Sequence, residues 1–241
     1  MKKELKQQIK QDELRSGYEH ASVWAGEHKD EVRTTAIVVA VVLLAAIGFG
    51  SYRSHQQSAA QRAFDEALTI YHAPVAGQHD ATGATGTVYA TQAERDQKAA
   101  AAFGEVAKKF GSSATGRRAR YYAALANVQI GKTAEAEAEL KDLASKGDDP
   151  LIRDLSRLAL ADMYRGSGRF DQAVEGYQRV ADDSGAVVPR DHALMRMGGT
   201  LEDAKREQDA LKAYRRLTEE FPTSVYLGDA KTRILYLGGR G

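Results

Sequence analysis

The chain has 241 residues, of which 43% are hydrophobic and 28% are charged, which suits one medium-sized domain plus a further apolar segment. Its 34 Lys and Arg residues against 33 Asp and Glu residues give a formal charge of +1, without the basic excess that nucleic-acid binding needs. The lack of cysteine excludes a disulfide framework, a thiolate metal site, a cysteine nucleophile and a lipid-anchored cysteine.

Residues 1–33 form a charged arm before the first long apolar segment. Apolar or small residues recur in this arm at spacings of four and three: Leu14, Tyr18, Ala21, Ala25, His28 and Val32. Trp24 lies beside that stripe. The pattern favours a helix at a membrane surface, and a docking site in the cytosol is the alternative.

Residues 34–52 carry no charge and almost no polarity. As a helix, these 19 residues span roughly 28 Å, close to the thickness of a bilayer's hydrocarbon core. Lys29 and Arg33 precede the segment, and Tyr52 and Arg53 close it, as expected at the two interfaces. The segment is therefore predicted to be a transmembrane helix.

Two alternatives compete with a membrane span. A buried core helix normally has a polar face, which this segment lacks. A cleaved signal peptide would suit the strictly apolar run 36–49, but 33 residues precede the run, and Gly48, Gly50 and Ser51 form a poor cleavage site. Seven Lys and Arg residues in 1–33 against two in 53–92 predict a cytoplasmic N-terminus.

Residues 53–241 follow as a separate helical domain. Ser58–Tyr71 is predicted to be its first helix, which can continue directly from the membrane helix, because its apolar residues share one face. Residues 74–92 are rich in Gly, Thr and Ala and have no helical period, so they are predicted to form an exposed loop.

Small residues repeat at intervals of 37 residues: Ala99, Ala136, Ala173 and Ala210. Four residues after each alanine comes a large apolar residue, and three further on another: Phe103, Leu140, Tyr177, Tyr214, and Val106, Leu143, Val180, Leu217. Twelve residues before the last three alanines stand Ala124, Ala161 and Gly198. Such a register predicts helical hairpins in which a small residue of one helix admits a large residue of the next.

The fold class is therefore predicted to be all-α, with one N-terminal transmembrane helix followed by a right-handed solenoid of helical hairpins. Residues 224–237 form one more amphipathic helix, which is predicted to cap the end of the stack.

No catalytic constellation was found. The six histidines show no spacing that places two metal ligands on one helix face. His72, His79 and Asp80 straddle the predicted loop, and Gly166-Ser167-Gly168 lies in a turn between helices, so a metal site and a dinucleotide loop are both disfavoured. The acidic pairs at 148–149 and 182–183 suit helix ends and N-caps. No cofactor, metal or small-molecule substrate is expected, and the chain is predicted not to be an enzyme.

The segment 158–180, LALADMYRGSGRFDQAVEGYQRV, resembles a tetratricopeptide repeat, with Leu160, Ala161, Tyr164, Gly168, Ala173, Tyr177 and Val180 at the family's offsets. Together with the cytoplasmic arm and the membrane helix, the chain resembles the tetratricopeptide-repeat-like inner-membrane family that includes the ancillary subunit of the SecYEG translocon, the YfgM-like proteins. The resemblance implies a bacterial inner-membrane protein with a periplasmic repeat domain that binds SecYEG components, periplasmic chaperones or exported chains.

Three functions follow from these observations. The first is an accessory factor of the Sec translocon and the periplasmic chaperone network. The second is an envelope scaffold for cell division or outer-membrane assembly, and the third, an enzyme, is the least supported.

The partner is predicted to bind on the concave side of the solenoid, which the first helix of each hairpin lines. By tetratricopeptide offsets the groove residues are Arg118, Tyr121, Leu125, Leu158, Asp162, Arg165, His192, Met195 and Glu202. The apolar members could equally belong to the core. The four charged members have no evident packing role in the sequence, so they are the stronger candidates.

Overall fold

The computed structural model describes residues 24, 26–77, 86–146 and 149–238. Within these residues the chain forms helices and no strand, which confirms the all-α prediction. The helices are α1 Lys29–Tyr71, α2 Gln92–Phe110, α3 Ala114–Gln129, α4 Thr133–Lys146, α5 Pro150–Gly166, α6 Phe170–Asp182, α7 Arg190–Asp203, α8 Glu207–Glu220 and α9 Leu227–Gly238. Most of the N-terminal arm, with Leu14, Tyr18, Ala21 and Ala25, lies outside the described residues, as do His79, Asp80 and Asp148.

The chain divides into two compact units between Gln56 and Gln57. In the first unit, the apolar side chains of α1 are exposed, as Leu44 at 69% and Phe49 at 66% show. None of the most hydrophobic 18-residue window of α1 is buried. Exposing that much apolar surface to water is unfavourable, and the helix is long and apolar enough to cross a membrane.

The second unit, from Gln57 onward, is a solenoid of helical hairpins. From α2 to α9 each helix packs on the next, and α3 also packs on α5. The repeats are α3 with α4, α5 with α6, and α7 with α8, and α9 covers the end of the stack. Contacts between neighbours in the sequence, with few between distant elements, are typical of repeat proteins.

The residues of the 37-residue register are buried at every repeated position. Each small residue is buried, as is each large residue that follows it by four or seven positions. Their exposed fractions lie between 0% and 4%: Ala99, Ala136, Ala173, Ala210, Phe103, Leu140, Tyr177, Tyr214, Val106, Leu143, Val180 and Leu217. The repeat of the sequence is thus the repeat of the core.

Small residues allow the first and second helices of a hairpin to approach each other closely. A Cβ atom on Gly176 of α6 would come within 2.9 Å of the Ala161 Cβ atom of α5. A Cβ atom on Gly198 of α7 would overlap the ring of Tyr214 in α8. Close approach of the two helices of a hairpin therefore depends on these glycines.

The three turns inside the hairpins share one backbone conformation. Gly131, Gly168 and Lys205, spaced by 37 residues, have φ angles of +81°, +73° and +61°. In the last two turns the amide that follows this residue donates to a carbonyl five residues back, at 2.8 Å in each case. This left-handed conformation favours glycine, so Lys205 is the exception.

The connections between hairpins contain helix caps. Thr91 accepts a hydrogen bond from the Glu94 amide, and the Glu94 carboxylate accepts one from Ala90, so together they cap α2. Asp149 caps α5 by accepting from the Leu151 amide, as predicted for the acidic pair before Pro150. These caps satisfy amides that have no partner inside their helices.

The connection between α1 and α2 is less exposed than predicted. Its two ends meet, because the Ala76 amide donates to the Tyr89 carbonyl at 2.8 Å and the Tyr89 amide donates to Pro74 at 3.0 Å. Val75 is only 5% exposed. The prediction of an exposed loop is therefore wrong for Val75, because this apolar side chain packs against the domain.

Candidate partner-binding groove

A groove of about 720 Å³ lies along α3 and α5, the first helices of the first two repeats. Its walls come from α3, α5, the start of α4 and His192 of α7. The floor is apolar and consists of Tyr121, Leu125, Val128, Leu155, Leu158, Ala159 and Met163. Alternate turns of α3 and α5 present these residues, because side chains three or four positions apart lie on one face of a helix.

Five of the nine predicted groove residues line this groove: Tyr121, Leu125, Leu158, Asp162 and His192. Leu158 also belongs to the core and is only 8% exposed. Arg118, Arg165, Met195 and Glu202 are not among the lining residues. Met195 instead packs against the core cluster of the later repeats.

Leu155 and Val128 line the groove but were missed by the sequence analysis. The signal for both was present in the register. Leu155 lies 37 residues after Arg118 and 37 before His192, while Val128 lies 37 before Arg165. The 37-residue offset therefore predicts both positions.

Tyr121 forms one wall of the groove and presents a neutral hydroxyl. Burial, helped by the nearby hydroxyl of Tyr122, raises the pKa of Tyr121 to about 12. Its ring meets the ring of Tyr122 edge to face, with centroids 5.5 Å apart. The ring is thereby held in place as a rigid apolar surface with one hydrogen-bonding group.

Asp162 at the groove's edge is fully engaged by the repeats themselves. Its carboxylate accepts hydrogen bonds from the Tyr177 hydroxyl of α6 and from the Arg196 guanidinium of α7, whose Nε atom lies 3.0 Å away. Burial and this carboxylate together raise the pKa of Tyr177 well above its usual range. Asp162 therefore joins three helices.

The same arrangement recurs one repeat later. The Tyr214 hydroxyl donates to Glu202 at 2.6 Å, and Arg233 of α9 binds the same carboxylate at 2.6 and 2.9 Å. Tyr214 and Arg233 lie 37 residues after Tyr177 and Arg196, whereas the carboxylate has moved by one further helical turn. Each such bridge ties a hairpin to the next helix, and we refer to both as tyrosine–carboxylate–arginine bridges.

Other charged residues near the groove are also paired. Arg165 donates to Asp203 at 2.7 Å, and Arg169, which lines the groove, contacts Glu137 at 2.9 Å. Asp162, Arg165 and Glu202, for which the sequence indicates no packing role, all form ion pairs between helices in the structure. Arg118 alone among the four charged candidates is exposed and unpaired among the described residues.

The groove therefore offers apolar surface, with charges that are already compensated. Among the described residues there is no group of His, Asp and Glu side chains that could hold a metal ion. The His192 ring stacks on Tyr226, with ring centroids 5.7 Å apart, and its backbone amide donates to the Asp191 carboxylate at 3.0 Å. These features define a helical-repeat protein with an apolar groove suited to binding.

Comparison with known proteins identifies the family. The model of the tetratricopeptide repeat-like domain matches residues 24–225, and the chain belongs to that family. No curated protein sequence matches this chain.

Solved structures with the same fold include a Podosopora anserina putative kinesin light chain with nearly identical TPR-like repeats. It shares 14% identity at a TM-score of 0.50, covering 61% of this chain and 79% of that chain. MamA AMB-1 shares 15% identity at a TM-score of 0.47, over 78% and 83% of the two chains. A MamA mutant shares 18% identity at a TM-score of 0.44, over 61% and 75%.

Proposed function

We propose that this protein is a membrane-anchored interaction module that holds an apolar segment of another protein in the groove. The observation that carries the proposal is the apolar floor of Tyr121, Leu125, Leu155 and Leu158, beside charges that are paired within the solenoid. A tetratricopeptide repeat-like fold is typical of protein-binding modules.

The chemistry of the groove indicates what kind of segment binds. Charged partners would gain little from carboxylates and guanidinium groups that already form ion pairs. Apolar side chains of a helical or extended segment would instead remove the floor from water, at about 25 cal/mol for each Å² buried. We therefore propose that apolar anchors of the partner provide most of the affinity.

The topology completes this proposal. Residues 1–33 form a cytoplasmic arm, 34–52 cross the bacterial inner membrane, and 53–241 form the periplasmic repeat domain. The exposed apolar face of α1 and the excess of Lys and Arg before it support this arrangement. The resemblance to YfgM-like proteins supports a role at the SecYEG translocon and in the periplasmic chaperone network, with an envelope scaffold as the second candidate.

The groove is tested by two arginine substitutions in one helix. Leu155→Arg places a charge in the groove, whereas Leu151→Arg, one turn earlier, changes a residue that is 46% exposed and outside the groove. Both variants are produced in intact membranes, crosslinked and analysed by mass spectrometry. We expect Leu155→Arg to reduce the amount of crosslinked partner by at least about ten-fold, because the charge must be desolvated on binding. Leu151→Arg should crosslink as much partner as the wild type.

Helical content and melting temperature of the two variants show whether each remains folded. Equal recovery of the same partners by both folded variants would contradict the groove as the binding site. Recovery of SecYEG components with the wild-type chain supports the translocon role, and recovery of division or outer-membrane assembly proteins supports the scaffold role.

A further inference from the structure

The connection between α2 and α3 carries a cluster of cations that the groove does not use. Lys108 and Lys109 end α2, and Arg117 and Arg118 lie in the first turns of α3. We call these four residues the basic corner. Lys108, Lys109 and Arg118 are exposed, and Arg117 is half-buried.

None of the four cations forms an ion pair among the described residues. Arg117 donates only to the Ser112 carbonyl, at 3.3 Å, and its Nε atom is buried without a partner. Lys109 lies 5.3 Å from the centre of the Phe110 ring. The nearest carboxylate in the sequence is Glu105, one helical turn before Lys109, and it is exposed and forms no ion pair with it.

Later connections between hairpins are built differently. Asp183, after α6, pairs with Arg157 at 3.2 Å, and Glu220, at the end of α8, pairs with Arg216 at 2.5 Å. Those connections compensate their charges internally. The basic corner does not, and its two arginines stand near the N-terminus of α3, where the helix dipole disfavours cations. Lys108 and Lys109 are favourably placed at the C-terminal end of the α2 dipole, but no carboxylate among the described residues compensates the charge of the basic corner.

The packing of α2 places the basic corner at a defined end of the repeat domain. The hydrogen bond between Ala76 and Tyr89 returns the chain to the end of α1 just before α2 begins. The Phe103 ring lies between Phe64 and Tyr71 of α1, with centroids 5.6 and 6.0 Å away. Phe110, about 10 Å further along α2, belongs to the same buried cluster as Ala60 of α1.

Ala60 lies close to the apolar segment in the sequence. Ala60 follows Tyr52 by only eight residues, so the chain itself holds Ala60 within about 28 Å of Tyr52 in any conformation. So short a connection keeps the basic corner close to the bilayer surface, which raises its effective concentration for the lipid headgroups. An acidic protein is the alternative occupant of the basic corner, and it would not be tethered to the chain in this way.

We propose that the basic corner binds the anionic phospholipid headgroups of the bilayer that α1 crosses, so that the connection between α2 and α3 contacts the membrane surface. The proposal rests on the membrane anchoring proposed above. Each cation near an anionic bilayer strengthens such contact by about five-fold, an attraction that salt screens. The contact would hold the connection between α2 and α3 near the bilayer.

The test uses the full chain, which contains no cysteine, so that one introduced thiol is unique. A fluorophore is attached to Ser112→Cys, which lies between the lysines and the arginines of the basic corner. Thr223→Cys, in the connection before α9, is the control position. The labelled protein is reconstituted into vesicles of phosphatidylcholine alone or mixed with phosphatidylglycerol, each containing a headgroup-linked quencher. Flotation of the vesicles first establishes anchoring.

We expect stronger quenching at position 112 in the phosphatidylglycerol vesicles than in the neutral ones, and loss of the difference at high salt. Lys108→Gln, Lys109→Gln and Arg118→Gln together should weaken the contact by about five-fold for each cation removed. The matched variant with Lys98→Gln, Arg215→Gln and Lys231→Gln changes the net charge equally and should quench like the wild type. Quenching at position 223 should not depend on the lipid charge.

Three outcomes would overturn the proposal. Equal quenching at position 112 in both kinds of vesicle, with flotation intact, would refute it while leaving the anchoring in place. Unchanged quenching in the basic-corner variant, together with loss of an acidic protein that copurifies with the wild type, would assign the corner to that protein instead. Failure to float with either kind of vesicle would refute both the anchoring and the membrane contact.

Discussion

Lys205 is the one described non-glycine residue with a positive φ angle, and its position is occupied by Gly131 and Gly168 in the two preceding turns. Its Cβ atom crowds the backbone in this conformation, at a cost of about 1–2 kcal/mol. Lys205→Gly removes this cost but gives the unfolded chain more freedom, which opposes part of the gain. We expect a net stabilisation of about 1 kcal/mol.

Thermal unfolding followed by circular dichroism measures the change. Lys205→Ala is the control, because alanine keeps the Cβ atom and removes the rest of the side chain. If the alanine variant were stabilised as much as the glycine variant, the backbone conformation would not be the cause.

Gly198 controls the close approach of α7 and α8. Because an added Cβ atom would overlap the Tyr214 ring, we expect Gly198→Ala to lower the free energy of unfolding by about 1–3 kcal/mol. Gly104→Ala is the control: its added Cβ atom meets nothing within 4 Å, and alanine should stabilise α2 by about 0.5–1 kcal/mol. Shifts of the same sign in both melting temperatures would contradict this packing.

At the scale of helices, carboxylates hold neighbouring repeats together. Glu137 of α4 receives hydrogen bonds from Arg169, Lys141 and Tyr164, and these lower its pKa from 4.5 to about 2. A carboxylate with a lowered pKa in the folded state stabilises the fold fully above its unfolded pKa. That contribution is lost as the pH falls from about 4.5 toward 2.

We therefore expect Glu137→Gln to be less stable than the wild type at neutral pH, with the difference shrinking as the pH falls through this window. Urea unfolding at a series of pH values measures both free energies. Glu105→Gln is the control, because Glu105 is exposed and has no ion-pair partner among the described residues. A Glu137→Gln difference that stays constant from pH 7 to pH 2 would show that its ion pairs do not matter.

At the scale of the molecule, the proposed topology predicts which parts of the chain face each side of the membrane. In spheroplasts, a membrane-impermeant maleimide should label Ser112→Cys in the repeat domain and should not label Ser16→Cys in the arm. Both should be labelled after detergent lysis, which is the control. Labelling of Ser16→Cys alone in intact spheroplasts would reverse the orientation that the Lys and Arg distribution predicts.

The sequence by itself determined the helices, the register and the apolar segment. Periodic apolar residues determine which face of each helix is buried. The small residue at Ala173 can be predicted from the sequence, because close packing of the helices requires a small residue at this position in every repeat. The tertiary structure alone decided which polar residues remain available. Asp162 and Glu202 appeared free, but Arg196 and Arg233, which neutralise them, lie 34 and 31 residues away in the next helices. A side chain's partner across an interface depends on the geometry with which hairpins stack, and no local pattern in the sequence specifies that geometry.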